Sequence, residues 1–192
     1  EYQMMNTFDL TVDHLFFELR LHPWAVRNAM DLFTDRYRYY DACQDVQAGR
    51  AARPGGVSFV HDMGVCNQFS PPGYSSYEVP DKTGGFSYMT HEQLCNWVLT
   101  AATYVVDQGD VNWLVQRQST FVECFRSLQA RDHAEPAKRR GVMGYDAARC
   151  GATGQEITTY DSLDSSLGQA RNNLYLAGKT WASYVALEKV FD

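Results

Sequence analysis

The chain has no excess of positive charge. Lys and Arg total 17 against 23 Asp and Glu, a formal net charge of −6. No basic patch gathers along it either, which argues against a nucleic-acid partner. No apolar run is long enough to span a bilayer, so no membrane partner is expected. The opening residues do not read as a secretory leader, and none is expected. The five cysteines, Cys43, Cys66, Cys95, Cys124 and Cys150, form no CxxC spacing. They read as free thiols of a reducing, cytoplasmic compartment. Cys95 and Cys124 fall within apolar helical patterns and are expected in the core. There is no HExxH or other metal spacing, no glycine-rich phosphate loop and no Gly-x-Ser-x-Gly elbow, so neither a metal nor a cofactor is expected. The chain opens at Glu1 without a methionine and closes just after Phe191 without a helix-stop signal. It is expected to be a piece of a longer protein. What is present, 45% apolar and 14% aromatic residues, suits the packed core of one domain or part of one.

Helical periodicity dominates. A first helix starts near Asp9 or Thr11, with Leu15, Phe16 and Leu19 on its apolar side, although the alternation of Phe8, Leu10 and Val12 also fits a short strand. Pro23 suits a first helical position, and Val26, Ala29, Met30, Phe33 and Tyr37 continue that helix. From Tyr39 to Met89 the period is lost, and Pro-Gly and Gly-Gly clusters punctuate the stretch. A connection of this length is unusual in a compact domain. Its aromatics, among them Phe59, Phe69 and Tyr74, favour an ordered, site-building loop over disorder. Thr90-His91-Glu92-Gln93 reads as a capping box, Gly109 as a helix end and Asp110 as the next cap, together a helical hairpin. The last helix is expected from Ser162 to Phe191. Leu163, Leu167, Ala170, Leu174, Ala177, Trp181 and Val185 form one apolar stripe, with Leu176, Ala182, Ala186 and Val190 on another. Gly168 and Gly178 within it suggest close packing. The four tryptophans match core spacing, and Arg171, Asn172 and Asn173, lying among apolar positions, call for polar partners or a polar cavity. The fold class that follows is all-α: long helical hairpins joined alternately by short turns and long loops, as in bundles, solenoids or closed α/α toroids.

Paired carboxylates are the leading chemical signal, with Glu1, Asp62, Glu92, Glu156, Asp161 and Asp164 as candidates. Two carboxylates flanking a sugar act as acid and nucleophile. Asp161 and Asp164 equally suit a helix N-terminus, where negative charge is favourable. His61-Asp62 and His91-Glu92 can serve as partners of sugar hydroxyls or make plain structural hydrogen bonds.

Several segments resemble glycoside hydrolase family 52, the β-xylosidases. The run from Glu1 through Tyr2, Gln3, Met4, Met5, Asn6, Thr7, Phe8, Asp9 and Leu10 to Asp13 is similar to the family's nucleophile segment. The likeness continues through His22-Pro23-Trp24-Ala25-Val26-Arg27-Asn28, through Gly56 to Val65, through Met89-Thr90-His91-Glu92-Gln93-Leu94 and through Gly141-Val142-Met143-Gly144. The run from Glu156 to Asp164 resembles the acid/base segment. The resemblance implies a retaining glycosidase with an N-terminal β-rich domain and an (α/α)6 barrel, of which this chain would be a part. Glu1 would be the nucleophile and Asp161 the general acid/base, their carboxyl groups roughly 5–5.5 Å apart. His61, Asp62, His91, Glu92, Tyr160 and Asp164 would contact substrate, a β-linked xylo-oligosaccharide, and the longer protein would form a homodimer. A non-catalytic helical interaction or glycan-binding module is the alternative from another class.

Overall fold

The computed structural model describes residues 4–45, 49–75, 89–149, 156, 158 and 169–192. In chain order these give α1 (Phe8–Asp13), α2 (Leu15–Leu21), α3 (Pro23–Arg36), β1 (Arg38–Asp45), β2 (Arg50–Phe59), β3 (Gly64–Val65), β4 (Gln68–Phe69), α4 (Thr90–Gln108), α5 (Val111–Asp132), β5 (Asp146–Ala147) and α6 (Leu174–Phe191).

Helix directions alternate. Arg27 meets Asp110 and Asp31 meets Trp113, while Asp35 pairs with Arg117, so α3 and α5 run parallel. Glu92 meets Tyr175, and farther along Val106 and Lys189 line one groove, so α4 and α6 also run parallel. Phe125 packs on Tyr184 and Phe121 on Phe191, so α5 runs against α6. The core lies between these helices and β2. Phe8 stacks on Phe33 with centroids 4.0 Å apart, Phe59 stacks on Trp97 at 5.2 Å, and Phe121 packs edge-on against Trp97 and Trp113. The α4–α5 turn forms as its residues predict. Gly109 takes φ +63°, and Asp110 Oδ1 accepts from the Trp113 amide at 3.0 Å. Asp110 Oδ2 accepts from Tyr104 and Arg27. We expect Asp110→Ala to lower stability by about 1–2 kcal/mol through the lost cap, read as a shift of the denaturation midpoint.

The fold is helix-rich but not all-α. β1 and β2 pair antiparallel and β5 adds to β1, giving a three-stranded sheet in the order β2-β1-β5. Bulges hide this hairpin from a period-two reading. Asp41 faces Gly56 and Ala42 faces Pro54, leaving Gly55 as the extra residue, and the register shifts again between Cys43 and Asp45. Proline and glycine inside β2 are bulge residues and not a loop. Gly56 sits at φ +95°, and a Cβ there would lie 2.9 Å from Ser127 Cβ. Its absence lets β2 approach α5 closely enough for the Ser127 hydroxyl to reach Gly55 O and Val57 O.

Further expectations are corrected. The Thr90 hydroxyl does not cap α4. Met89 is the N-cap in a left-handed conformation, and Thr90 Oγ1 is engaged by Tyr39 and Arg149 instead. Helix α6 begins only at Leu174. Asn172 is left-handed, and the Asn173 side chain caps by accepting from Leu176 N at 3.2 Å. Its buried face is Leu176, Thr180, Ser183 and Leu187. Of the expected stripe, Leu174, Trp181 and Val185 face outward, with Leu174 88% and Trp181 69% exposed, while Ala170, ahead of the helix, is buried. Trp24 is exposed too, whereas Trp97 and Trp113 are core. Gly178 has open space around it and no close neighbour. Leu163, Leu167 and Gly168 lie outside the described residues, as does Cys150. Cys43, Cys95 and Cys124 are buried free thiols, and Cys66 is exposed. No described helix is long and apolar enough to cross a membrane.

Candidate functional site

Buried polar groups converge on the first turns of α4. His61 follows β2 and lies between two carboxylates, Nδ1 3.0 Å from Asp62 Oδ2 and Nε2 3.4 Å from Asp9 Oδ2. Asp62 is fully buried, and its Oδ1 accepts from Gly64 N while Oδ2 also accepts from Ser75 Oγ. Asp9 of α1 accepts in turn from Gln93 Nε2 and, at 2.8 Å, from Asn96 Nδ2. Asn96 Oδ1 accepts from Lys179 Nζ of α6 at 2.8 Å. Lys179 also donates to Glu92 Oε1 at 2.9 Å, and Tyr175 donates to the same oxygen at 2.6 Å. One continuous network thus joins α1, the segment after β2, α4 and α6. It reaches solvent at Asp9, Lys179 and Tyr175.

The charges are mutually compensating. Burial opposes an imidazolium, but the hydrogen bonds and charges of Asp62 and Asp9 prevail and push His61 up to about 9. Burial likewise works against the Asp9 carboxylate, and His61, Gln93 and Lys179 nonetheless hold it below the usual carboxylate range. Against the same cost of burial, the Glu92 carboxylate raises Lys179.

His91 faces elsewhere. Its Nε2 meets Thr180 Oγ1 at 2.8 Å, and since that hydroxyl donates to Leu176 O, the ring nitrogen is the donor. Burial, with Arg131 and Lys179 nearby, depresses it to about 3, so it is neutral. The His91 amide donates to Glu156 Oε1, and the Ala147 amide donates to Glu156 Oε2 at 2.8 Å. Glu156 therefore supplies, from 65 residues downstream, a carboxyl acceptor for a first-turn amide of α4. Burial raises the Glu156 carboxyl to about 8, against the pull of Arg131 and the two amides.

The structure thus unites His61, Asp62 and Glu92 in one network and sets His91 beside Glu156. Glu1, Tyr160, Asp161 and Asp164 lie outside the described residues. Arg171 and Asn172 line a polar cavity of about 440 Å³ with Asp45, Asp132 and Gln169, and Arg171 pairs with Asp45 at 2.8 Å. The expected polar surroundings are met, though not inside a helix. Asp9, Asn96, Tyr175 and Lys179 were not anticipated. The available signal was Lys179, a lone charge within an apolar helical stretch.

The described residues thus form alternating helices with a small sheet, and buried carboxylates, amides and a lysine are hydrogen-bonded around the start of α4. The profile described as "Glycosyl hydrolase family 52" matches residues 1–104 of this 192-residue chain. The chain belongs to that family. Two relatives from Geobacillus stearothermophilus, both named "Beta-xylosidase", are 58% and 47% identical to it over 191 residues. The match covers 100% of this chain but only 27% and 30% of those proteins, so the chain spans less than a third of the curated relatives it matches.

Proposed function

We propose that this chain carries the two reacting carboxylates of a retaining glycosidase that removes β-linked xylose from xylo-oligosaccharides. Glu1 attacks the anomeric carbon while Asp161 protonates the departing oxygen. Asp161 then takes a proton from water as it releases the sugar from Glu1. The observation that carries this reading is a shared anchor. The flank of Glu1 is fastened by Met5 N to Gly64 O and by Asp9 to Gln93 and Asn96 of α4. The flank of Asp161 is fastened by Glu156 to His91 of the same helix. Both flanks therefore hold to the first two turns of α4. The family and the relatives' names supply the substrate class.

Tyr160 and Asp164 belong to the same reading as substrate contacts beside Asp161. His61, Asp62, His91 and Glu92 are nearly wholly buried. In this reading His61, Asp62 and Glu92 act through the network's edge, where Asp9, Tyr175 and Lys179 reach solvent, and His91 acts through Glu156. The parallel pairs α3/α5 and α4/α6 favour a sector of an (α/α)6 barrel, and the longer protein is read as a homodimer without cofactor.

The test uses a protein of the relatives' full length containing this chain. Asp161→Ala is expected to lower kcat on an aryl β-xyloside on the order of 10²–10⁴-fold, and Glu1→Ala to abolish turnover. The first sugar released should keep the β configuration, seen by NMR during hydrolysis. Inversion, or near-normal rates in both variants, overturns the assignment.

A further inference from the structure

We propose that Glu156 is a positioning residue for the general acid: its carboxyl group fastens the neck of the chain segment that carries Asp161 to the first turn of α4. This rests on the reading of Asp161 given above. The neck is defined by described residues alone. Glu156 O accepts from Ala170 N at 2.9 Å, so two residues fourteen apart in sequence are hydrogen-bonded. On the upstream side, the Glu156 carboxylate accepts from His91 N and Ala147 N. On the downstream side, Asn172 N donates to Met143 O at 2.8 Å and Arg171 pairs with Asp45. Glu156 and Ala170, the two ends of this stretch, are thus held together at one fixed point.

A carboxyl group is a costly choice for a purely structural peg. Glu156 is 1% exposed and lies among backbone amides, with the Arg131 charge acting from a distance and Arg131 itself paired with Asp41. Burying an ionisable group without a directly bonded partner of opposite charge is unfavourable. What the group supplies is a two-pronged grip. One oxygen holds α4 and the other holds β5, while the backbone of the same residue closes the neck. α4 is a stiff support, since 14 of its 19 residues are buried. The Glu1 flank holds the same helix through other side chains, Gln93 and Asn96. Loosening Glu156 therefore shifts Asp161 relative to Glu1 without releasing the Glu1 flank.

The chemistry gives this role a signature. In the first step the bond from anomeric carbon to leaving oxygen breaks, Glu1 forms the new bond, and the Asp161 proton goes to the leaving oxygen. A sugar alkoxide leaves only with that proton, whereas dinitrophenolate leaves without it. In the second step water attacks and gives its proton to Asp161, a transfer that azide as nucleophile does not need. A misplaced acid therefore harms xylobiose turnover far more than dinitrophenyl β-xyloside turnover. A general loosening harms both alike.

The experiment compares wild type, Glu156→Gln, Glu156→Asp and Asp161→Ala in the full-length protein. For Glu156→Gln we expect kcat/KM on xylobiose to fall about 100-fold, the cost of a misplacement of about 1 Å. On dinitrophenyl β-xyloside kcat/KM should change little, and azide should speed turnover and yield β-xylosyl azide. Glu156→Asp should show the same pattern at smaller size, and it decides the matter if the glutamine variant does not fold. Equal losses on both substrates, or unchanged kinetics, overturn the proposal. If Asp161→Ala itself shows no dependence on the leaving group, the assignment of Asp161 fails, and this inference with it. If Asp161→Ala shows the dependence and the Glu156 variants do not, only the positioning role fails.

Discussion

Replacing His61 with alanine is expected to destabilise the protein by about 3–5 kcal/mol, the cost of stranding buried charge by removing its partner. Two carboxylates lose their shared cation at once. Asp62 is fully buried, and Asp9 keeps only the neutral donors Gln93 and Asn96 with Lys179 farther off. The effect carries a pH signature. The folded His61 pKa of about 9 lies above the reference value of about 6.5 for an unfolded imidazole. A raised pKa means that the protonated ring contributes stability, present in full below about 6.5 and lost as pH rises through about 9. Denaturation midpoints of the wild type should therefore fall between about pH 7 and pH 9, and those of His61→Ala should lack that fall. A substitution costing less than about 1 kcal/mol, with the wild-type slope retained, would show that the imidazole is not clamped as an imidazolium.

How far the sequence reveals this molecule depends on the distance over which each signal acts. The α4–α5 hairpin is legible because Gly109 and Asp110 determine it locally, one by its left-handed φ and the other by capping Trp113 N. Pro23 opens α3 for the same kind of reason. The β1–β2 hairpin is not legible, because bulges at Gly55 and beside Cys43 break the alternation on which strand reading depends. Helix α6 has two candidate faces, and periodicity cannot say which one packs inward. Lys179 decides it, because Glu92 and Asn96 draw the ammonium toward α4 and turn Thr180 and Ser183 inward with it. At the site, His61 and Asp62 are neighbours in sequence and stand out as a pair. Asp9 meets His61 directly from a distant part of the chain, and Asn96 and Lys179 join through contacts 87 and 83 residues apart, which no local pattern records. The Thr90 capping box fails because Thr90 is already helical and the Gln93 amide donates to Met89 O, while Glu156 reaches α4 from a distant part of the chain and takes the amide of His91.

The 192-residue chain by itself is expected to release no measurable nitrophenol from an aryl β-xyloside, whereas a protein of the relatives' full length carrying it should turn the substrate over. Helix α6 provides the physical reason. Its outward face presents Leu174, Trp181 and Val185 to solvent. With Ala102 and Val106 of α4 it lines an apolar groove of about 420 Å³. A second groove of about 600 Å³, lined by Val122, Phe125, Tyr184, Leu187 and Phe191, runs along its other side. Contiguous apolar surface of this kind is rare on a monomer and marks a place where something packs. The matched relatives are more than three times as long as this chain, which covers 27% and 30% of them, so their remaining length is ample to cover both grooves. Without that cover, α6 lacks the packing that fixes its angle to α4, and Lys179 and Tyr175 move with it. The carboxylates of a retaining site must stand roughly 5–5.5 Å apart, and an error of about 1 Å costs on the order of 100-fold in rate. Errors in both flanks compound. The assay compares the purified chain with the full-length protein, using Asp161→Ala of the latter as the blank, and follows binding of an apolar dye as a measure of the exposed grooves. Dye binding by the chain alone with activity at the blank level is the expected result. Full activity from the chain alone would show that its described helices already suffice to build the site.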